Sequence, residues 1–277
     1  MKEELVYRGF TQAELDAGYD NTNAVADSAV QLKGFDLRSD ALARRFASTL
    51  DMTYDVHPRN KFDFFSCGNR KAPLFVFIHG GYWQMRCKET FRFLAQGPLA
   101  NGFNVANIGY TLAPEMPLTG IVYEIRLAIK VLRSRADELG FDADRIYVSG
   151  WSAGGHLCTS VLDETGVQGA LAISGIYDLE PISKSYLNKK LQLTAEEILR
   201  LSPARAPLVR KPVIVVSGSK ELPELRRQSL EFAALRAAER IPGSYSLLDG
   251  HDHFSILTEL ENPNGALSRL LNIMAGK

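Results

Sequence analysis

The residues with the clearest chemical meaning form a serine-centred motif at positions 150–156, which read GWSAGGH. Gly150 and Gly154 stand two residues on either side of Ser152, between an apolar run (IYVS) and a helical pattern. This arrangement is the context of a nucleophile elbow, a sharp turn that exposes the serine hydroxyl. The N-terminus of the following helix favours developing negative charge. The motif predicts Ser152 as the nucleophile of an acyl transfer; the alternative is a glycine-rich turn with a purely structural serine.

A second glycine-rich turn, HGGYW at 79–83, follows the apolar run LFVFI. Acyl transfer creates an oxyanion that preorganised N–H groups must bind. A turn after an early strand supplies such groups beside a nucleophile elbow. We therefore predict that the N–H groups of Gly81, Tyr82 and Ala153 form an oxyanion hole.

The side chains of this turn have other predicted roles. His79 precedes the turn and does not face the serine, so we expect it to orient the loop and not to act as a base. Trp83 fits two interpretations equally: a core residue, or a flat wall for an aromatic substrate. We take Trp83 and Tyr82 as candidate substrate-binding residues.

A serine nucleophile needs a histidine base downstream, and three histidines qualify by position. His253 lies in the loop GHDHF after the last predicted strand, and we predict it to be the base. His251, in the same loop, is expected to be a solvated residue. His156 lies one helical turn past the serine, so we expect it to be packed inside.

The histidine base needs a carboxylate partner. In the chain order serine, acid, histidine, this carboxylate follows a late strand. The apolar run PVIVV at 212–216 is followed by SGSKELPE, and we choose Glu221 as the acid. Glu224 is the second choice, and Asp249 and Asp252 are more distant candidates.

Short apolar runs alternate with amphipathic stretches through most of the chain, a pattern typical of a parallel sheet covered on both faces. With the elbow, it predicts an α/β-hydrolase fold: a mostly parallel, doubly wound central sheet flanked by helices. The predicted strands lie at 62–65, 74–78, 105–108, 145–148, 170–173, 213–216 and 245–248. The predicted helices lie at 88–100, 121–139, 153–162, 225–238 and 266–274.

Two segments depart from this alternation. Residues 1–50 are predicted to form a helical segment that precedes the sheet. In this segment Thr11 and Glu14 have capping-box spacing, and Ser39 can cap a stretch ending near Leu50. Residues 180–211 contain two helical pieces and several prolines, and we expect a small cap-like insertion over the end of the sheet. No linker or repeat divides the chain, so we predict one domain, 1–277.

Composition excludes several classes of function. The 277 residues carry 32 Lys plus Arg and 32 Asp plus Glu, without the basic excess of a nucleic-acid binder. No apolar run approaches the roughly 18–20 residues that span a bilayer. The first residues also lack the layout of a secretory signal, which favours a cytoplasmic location. The cysteines, Cys67, Cys87 and Cys158, are too scattered for a disulfide framework or a metal pair.

Taken together, several motifs resemble those of the kynurenine formamidase (arylformamidase) branch of the α/β-hydrolase esterase–lipase superfamily. These are HGGYW, YTLAPE at 110–115, GWSAGGH, the RQS stretch at 227–229 and the final His253-Phe254 pair. The resemblance extends from about Tyr54 onward. The family acid is usually an aspartate, whereas this chain has Glu221 at that position.

The resemblance implies hydrolysis of N-formyl-L-kynurenine, or of small carboxylic esters, through an acyl-enzyme. It places the nucleophile on Ser152, the base on His253 and the oxyanion turn on residues 80–82. We expect a small-molecule substrate, no metal and no organic cofactor. The family also suggests a homodimer, although no segment of the sequence identifies an interface.

Two further hypotheses stay open at this point. The same residues would serve a general short-chain carboxylesterase or lactonase. A non-catalytic binding module on the same fold is the third interpretation, and the presence of both a nucleophile and a base argues against it.

Overall fold

The computed structural model describes residues 4–46 and 49–277. Within these residues, eight strands form one sheet in the order β1-β2-β4-β3-β5-β6-β7-β8. Strand β2 pairs antiparallel with β1 and β4, and the remaining pairs are parallel. The strands are β1 Met52–Thr53, β2 Lys61–Phe65, β3 Leu74–Ile78, β4 Asn104–Ile108, β5 Ile146–Trp151, β6 Val167–Ile173, β7 Val213–Gly218 and β8 Gly243–Leu248.

The central strands are apolar on both faces because both faces of the sheet are covered. In β3, Leu74, Val76 and Ile78 join one buried cluster, whereas Phe75 and Phe77 join the cluster on the other side. Side chains alternate between the faces of a strand, so an unbroken apolar run supplies two cores at once. The predicted strands are thereby confirmed, with ends that shift by a few residues. The short β1 was not predicted.

Helices of the described residues pack on both faces of the sheet. They are α1 Gln12–Ala17, α2 Asn21–Ala24, α3 Ser28–Ala43, α4 Gln96–Ala100, α5 Leu118–Ser134, α6 Ala136–Leu139, α7 Ala153–Thr159, α8 Glu180–Lys184, α9 Asn188–Leu191, α10 Ala195–Leu201, α11 Pro223–Ala238, α12 Thr258–Glu261 and α13 Ala266–Met274. Short 3₁₀ helices span Lys88–Ala95 and Ser255–Leu257. In the part of the chain that the structure describes, none of these helices has the length and apolar character to cross a bilayer.

The helix expected at 88–100 differs from the prediction, because its first eight residues form a 3₁₀ helix and only Gln96–Ala100 is α-helical. Residues 91–95 are all buried. Polar and apolar side chains in this stretch recur with a helical period. Because the periods of an α-helix and a 3₁₀ helix differ little over eight residues, the sequence pattern does not specify the helix type.

The N-terminal segment is helical, and one of its two predicted caps is confirmed. Thr11 and Glu14 form the capping box at the start of α1. The prediction for Ser39 is wrong, because Ser39 lies inside α3 and is buried. Its hydroxyl donates to the carbonyl of Thr90 and accepts from the N–H of Phe93, so it joins α3 to the 3₁₀ helix. The stretch expected to end at Leu50 includes residues 47 and 48, which lie outside the described residues.

Helices α8, α9 and α10 occupy the segment expected to be an insertion. A capping box between Thr194 and Glu197 starts α10. The Glu197 carboxylate also accepts hydrogen bonds from the N–H and hydroxyl of Thr119, at 3.0 and 2.9 Å. One carboxylate therefore starts the helix and fastens it to α5.

A buried ion cluster fastens β2 to the 3₁₀ helix. The fully buried Asp63 accepts hydrogen bonds from Lys88 Nζ at 2.7 Å, Arg92 Nε at 2.6 Å and the N–H of Asp51 at 2.8 Å. Lys88 Nζ also binds the exposed carboxylate of Asp51 at 2.6 Å. Burial of an ion is costly unless its partners surround it, so this cluster is sensitive to the loss of its central charge.

Replacement of Asp63 by asparagine should therefore lower the free energy of unfolding by about 3–5 kcal/mol, because it leaves two cations without their buried partner. The matched control is Asp51→Asn, which removes a half-exposed carboxylate from the same lysine and should cost about 1 kcal/mol or less. Urea unfolding at constant ionic strength measures both changes. Equal losses of unfolding free energy in the two variants would contradict a larger contribution from Asp63 than from Asp51.

Candidate active site

Ser152 lies between β5 and α7 in a strained left-handed conformation, with φ 58° and ψ −119°. The flanking glycines are required by packing. A Cβ on Gly150 would lie 2.0 Å from the carbonyl oxygen of Gly154, and a Cβ on Gly154 would lie 2.0 Å from that of Ile78. Strained non-glycine residues of this kind concentrate at functional sites. The predicted strand–turn–helix context of Ser152 is present.

The turn after β3 lies directly against the elbow. A Cβ on Gly80 would lie 2.6 Å from the Trp151 carbonyl oxygen and 3.0 Å from Ser152 Cβ. Gly81, Tyr82 and Trp83 then have φ values of 108°, 49° and 58°. Three successive left-handed residues turn the chain sharply directly after the glycine that packs against Ser152.

The three N–H groups predicted to bind an oxyanion are available for that purpose. Within the described residues, the N–H groups of Gly81, Tyr82 and Ala153 donate to no backbone or side-chain acceptor. Buried N–H groups are normally paired. The predicted oxyanion hole requires N–H donors that have no acceptor within the protein, and these three positions meet that condition in the described residues.

His253 and Glu221 form a buried pair next to the elbow. Nδ1 of His253 lies 3.1 Å from Oε2 of Glu221. An ionised carboxylate only accepts hydrogen bonds, so Nδ1 carries the proton and Nε2 is left able to accept one. The indole N–H of Trp151, the residue before Ser152, donates to the His253 carbonyl oxygen at 2.7 Å. The two rings are 4.7 Å apart at their centroids.

The described residues contain no hydrogen bond between Ser152 Oγ and the His253 ring. Catalytic hydrogen bonds in unliganded enzymes are often long and shorten only around the substrate. Ser152 and His253 are 1% and 3% exposed, so both groups lie beneath the surface.

The other oxygen of Glu221 is fixed by two donors. The N–H of Gly218 and the hydroxyl of Ser174 both donate to Oε1, each at 2.6 Å. Sequence analysis missed Ser174, which is 47 residues from Glu221 and carries no motif of its own.

The alternative acids have other partners. Glu224 accepts from Arg227 through both oxygens and from the Tyr19 hydroxyl. Asp249 accepts from the Ser219 hydroxyl, and Asp252 accepts from the N–H groups that follow it. Among these candidates, Glu221 is the carboxylate that contacts His253.

Two other histidines named by the sequence are fully buried. Nδ1 of His79 lies 2.7 Å from the Gly80 carbonyl oxygen, and its ring stacks on Tyr110 at 4.2 Å. Nε2 of His156 lies 2.7 Å from the Leu201 carbonyl oxygen. Burial lowers the pKa of His79 to about 3 and that of His156 to about 4. Neither is hydrogen-bonded to a carboxylate among the described residues. His251 is half-buried in its loop, 3.6 Å from Glu259.

Tyr82 and Trp83 lie beneath the surface. Trp83 is fully buried, and its ring meets His156 edge-on at 5.0 Å. The Tyr82 hydroxyl donates to the Tyr19 carbonyl oxygen at 2.6 Å and accepts from Asn21 Nδ2 at 2.7 Å. The N-terminal segment thus packs on the oxyanion turn. Substrate contact by Tyr82 or Trp83 stays a prediction, and the burial of Trp83 favours the core interpretation.

A cavity of about 670 Å³ opens between residues 114–119 and the insertion. Met116, Leu191 and Leu201 are among the residues that line it, whereas Ser152, His253 and Glu221 are not. The candidate catalytic residues are therefore assigned from the contacts around Ser152 and not from this cavity.

Comparison with known proteins agrees with this geometry. The BD-FAE family model matches residues 65–171. A kynurenine formamidase of Danio rerio is 33% identical over 85% of each chain, and the esterase LipC of Mycobacterium tuberculosis is 26% identical over 66% of this chain and 53% of its own. A candidate thioesterase of Silicibacter sp. has a similar structure, with a TM-score of 0.85 at 26% identity, covering 94% of this chain and 99% of its own.

Fold and site together define a serine hydrolase with the α/β-hydrolase fold that the sequence predicted. The identity and coverage shared with the Danio rerio protein show the family. The chain belongs to the kynurenine formamidase family.

The neutral burial of His156 predicts a pH-dependent stability. Its folded pKa of about 4 lies below the ordinary value of 6.5, so only the unfolded chain takes up this proton between those values. The stabilisation that comes from neutral, buried His156 is fully present above pH 6.5 and is lost as the pH falls. Because of His156, the free energy of unfolding should fall by about 1.4 kcal/mol for each pH unit between these two pKa values.

His156→Gln removes this titration and keeps a donor for the Leu201 carbonyl. Urea unfolding between pH 8 and pH 4.5 should give a shallower slope for the variant than for the parent. Any packing cost appears as a constant difference that is already present at pH 8. Parallel curves would show that folding does not lower the pKa of His156.

Proposed function

We propose that this enzyme hydrolyses an aryl formamide of the N-formylkynurenine type through a formyl-enzyme on Ser152. The hydrogen bond between His253 and Glu221, beside the strained elbow, is the observation that carries the proposal. A histidine paired with a buried carboxylate is held in the tautomer that accepts a serine proton.

In the first half of the reaction, Ser152 Oγ attacks the formyl carbon while Nε2 of His253 takes its proton. The carbonyl oxygen becomes an oxyanion, bound by the N–H groups of Gly81, Tyr82 and Ala153. The intermediate then collapses as His253 returns the proton to the departing arylamine nitrogen. Glu221 stabilises the imidazolium that exists between these two steps.

In the second half, water attacks the formyl ester and gives its proton to His253. The same N–H groups bind the second oxyanion. As this oxyanion collapses, His253 returns the proton to Ser152 Oγ and formic acid leaves, ionising to formate in water. This sequence balances atoms and protons with these side chains and water alone, and it requires no cofactor.

A general short-chain carboxylesterase or lactonase is the second candidate function. It is supported by the glutamate at the acid position, where the formamidase branch usually has aspartate, and by the similarity to an esterase. The chemistry of the site would be the same, since an ester differs from a formamide in its leaving group.

The setting of the enzyme belongs to the same proposal. We infer one domain that works in the cytoplasm, as a homodimer, on a small-molecule substrate. The single sheet supports the domain assignment, and the unpaired cysteines at 67, 87 and 158 fit a reducing compartment. Analytical ultracentrifugation tests the dimer.

The roles of the three side chains predict a graded loss of activity. Ser152→Ala and His253→Ala should each lower kcat at least about a thousandfold, and Glu221→Ala should lower it less, as triad variants do. Glu224→Ala is the matched control, because that residue binds Arg227 and not the histidine. A larger loss in Glu224→Ala than in Glu221→Ala would overturn the assignment of the acid.

Labelling by a fluorophosphonate distinguishes a hydrolase from a non-catalytic module. The folded parent should label on Ser152 because its hydroxyl is activated, and Ser152→Ala should not label. A folded parent that fails to label would favour the binding module.

Turnover of N-formylkynurenine and p-nitrophenyl acetate by the parent separates the two candidate functions. We expect the higher kcat/KM on the formamide. Ester turnover without detectable formamide hydrolysis would favour the carboxylesterase.

A further inference from the structure

Ser174 lies one residue beyond the end of β6 and is fully buried. Its hydroxyl donates to Oε1 of Glu221 at 2.6 Å, a short hydrogen bond to the carboxylate that also contacts His253. Hydrogen bonds to charged groups are stronger than those between neutral ones, and burial strengthens them further. Ser174 is therefore well placed to control where this carboxylate lies.

The backbone of Ser174 is strained, with φ 52°. The left-handed region is unfavourable for a residue with a Cβ, whereas glycine would adopt it freely. A serine in this position accepts the strain and supplies a hydroxyl that glycine lacks. Strain of this kind at a residue that contacts the site points to a functional role.

The segment that carries Ser174 also contacts the nucleophile. The carbonyl oxygen of Ile173 accepts the N–H of Ser152 at 2.9 Å, and the N–H of Ser174 donates to the Val216 carbonyl oxygen at 2.7 Å. Residues 173–174 thus join the end of β5, which leads to Ser152, with the end of β7, which leads to Glu221. These backbone hydrogen bonds fix the position from which the Ser174 hydroxyl reaches the Glu221 carboxylate.

The identity of the acid explains why such a contact matters. Glutamate has one more methylene and one more torsion than aspartate, so its carboxylate can reach more positions. Gly218 N–H and Ser174 Oγ both bind Oε1, and this leaves Oε2 directed at His253. Removing one of the two donors would free the carboxylate to rotate away from the imidazole.

We propose that Ser174 is a positioning residue that holds Glu221 against His253 and thereby sets the orientation of the general base. This inference rests on the proposed function. It concerns the alignment of the acid and assigns Ser174 no contact with substrate.

Ser174→Ala and Ser174→Gly test the proposal together. Both remove the hydroxyl, and only glycine also relieves the backbone strain. Each should lower kcat about tenfold or more, with KM changed less than about threefold, because the hydroxyl acts on proton transfer and not on binding. The matched control is Ser219→Ala in the same acid loop, whose hydroxyl binds Asp249 and should be replaceable with kcat within about twofold.

A double-mutant cycle separates positioning from structural damage. If Ser174 acts through Glu221, adding Ser174→Ala to Glu221→Ala should change kcat less than about twofold. Additive losses, unchanged kcat in the single variants, or recovery of full activity in Ser174→Gly would each overturn the proposal. Thermal unfolding of every variant identifies any that fails to fold. If Ser174→Ala does not fold, the kcat of Ser174→Gly tests the proposal in its place.

The outcome for Glu221→Ala keeps the two proposals apart. Full activity in Glu221→Ala would contradict the proposed triad itself, and the Ser174 inference would fail with it. A large loss in Glu221→Ala with full activity in Ser174→Ala would leave the triad intact and overturn the positioning role alone.

Discussion

The site depends on the close approach of backbone around one strained serine. Ser152 can adopt its left-handed conformation because β5 ends there and α7 begins at once. The first turn of α7 then lies so near β3 that Gly154 has no room for a Cβ against Ile78. The same proximity places the turn after β3 beside the serine. Backbone packing thus brings the elbow and the turn predicted to hold the oxyanion donors together, before any side chain contributes.

Three histidines show how partners, rather than burial, decide chemical role. His79, His156 and His253 are all nearly inaccessible to solvent. Two of them contact backbone carbonyl oxygens, and burial keeps them neutral. His253 contacts a carboxylate, which compensates a positive charge on the ring. Among these three histidines, His253 is the one whose ring contacts a carboxylate, which is what the predicted general base requires.

Much of this arrangement is visible in the sequence because its determinants are local. The elbow and the turn at 79–83 are each encoded within seven residues, and the buried strands appear as unbroken apolar runs. The chain order of serine, acid and histidine then limits the remaining candidates to a few positions. Glu221 and Glu224 both follow β7 closely, and the hydrogen bond to His253 that distinguishes them is visible only in the structure.

The residues that sequence analysis missed make contacts between distant segments. Ser174 and Glu221 are 47 positions apart, and Asp63 and Arg92 are 29 apart. The residue types and positions of Ser174 and Asp63 do not indicate, in the sequence, which distant residues they contact. Ser39 was misplaced for a related reason, since serine caps helices in many sequences but here bonds to a neighbouring segment. Such pairs depend on how the elements pack, which a single sequence does not specify.

The hydrogen bonds from the N-terminal segment to Tyr82 give that segment an evolutionary constraint. The Tyr19 carbonyl oxygen and the Asn21 amide hold the hydroxyl of Tyr82, which lies in the turn that packs against the elbow serine through Gly80. A substitution at Asn21 or at Tyr82 alone would leave a buried polar group without its partner. These positions are therefore expected to covary among related sequences, so that a segment distant in the chain changes in step with the turn beside the nucleophile.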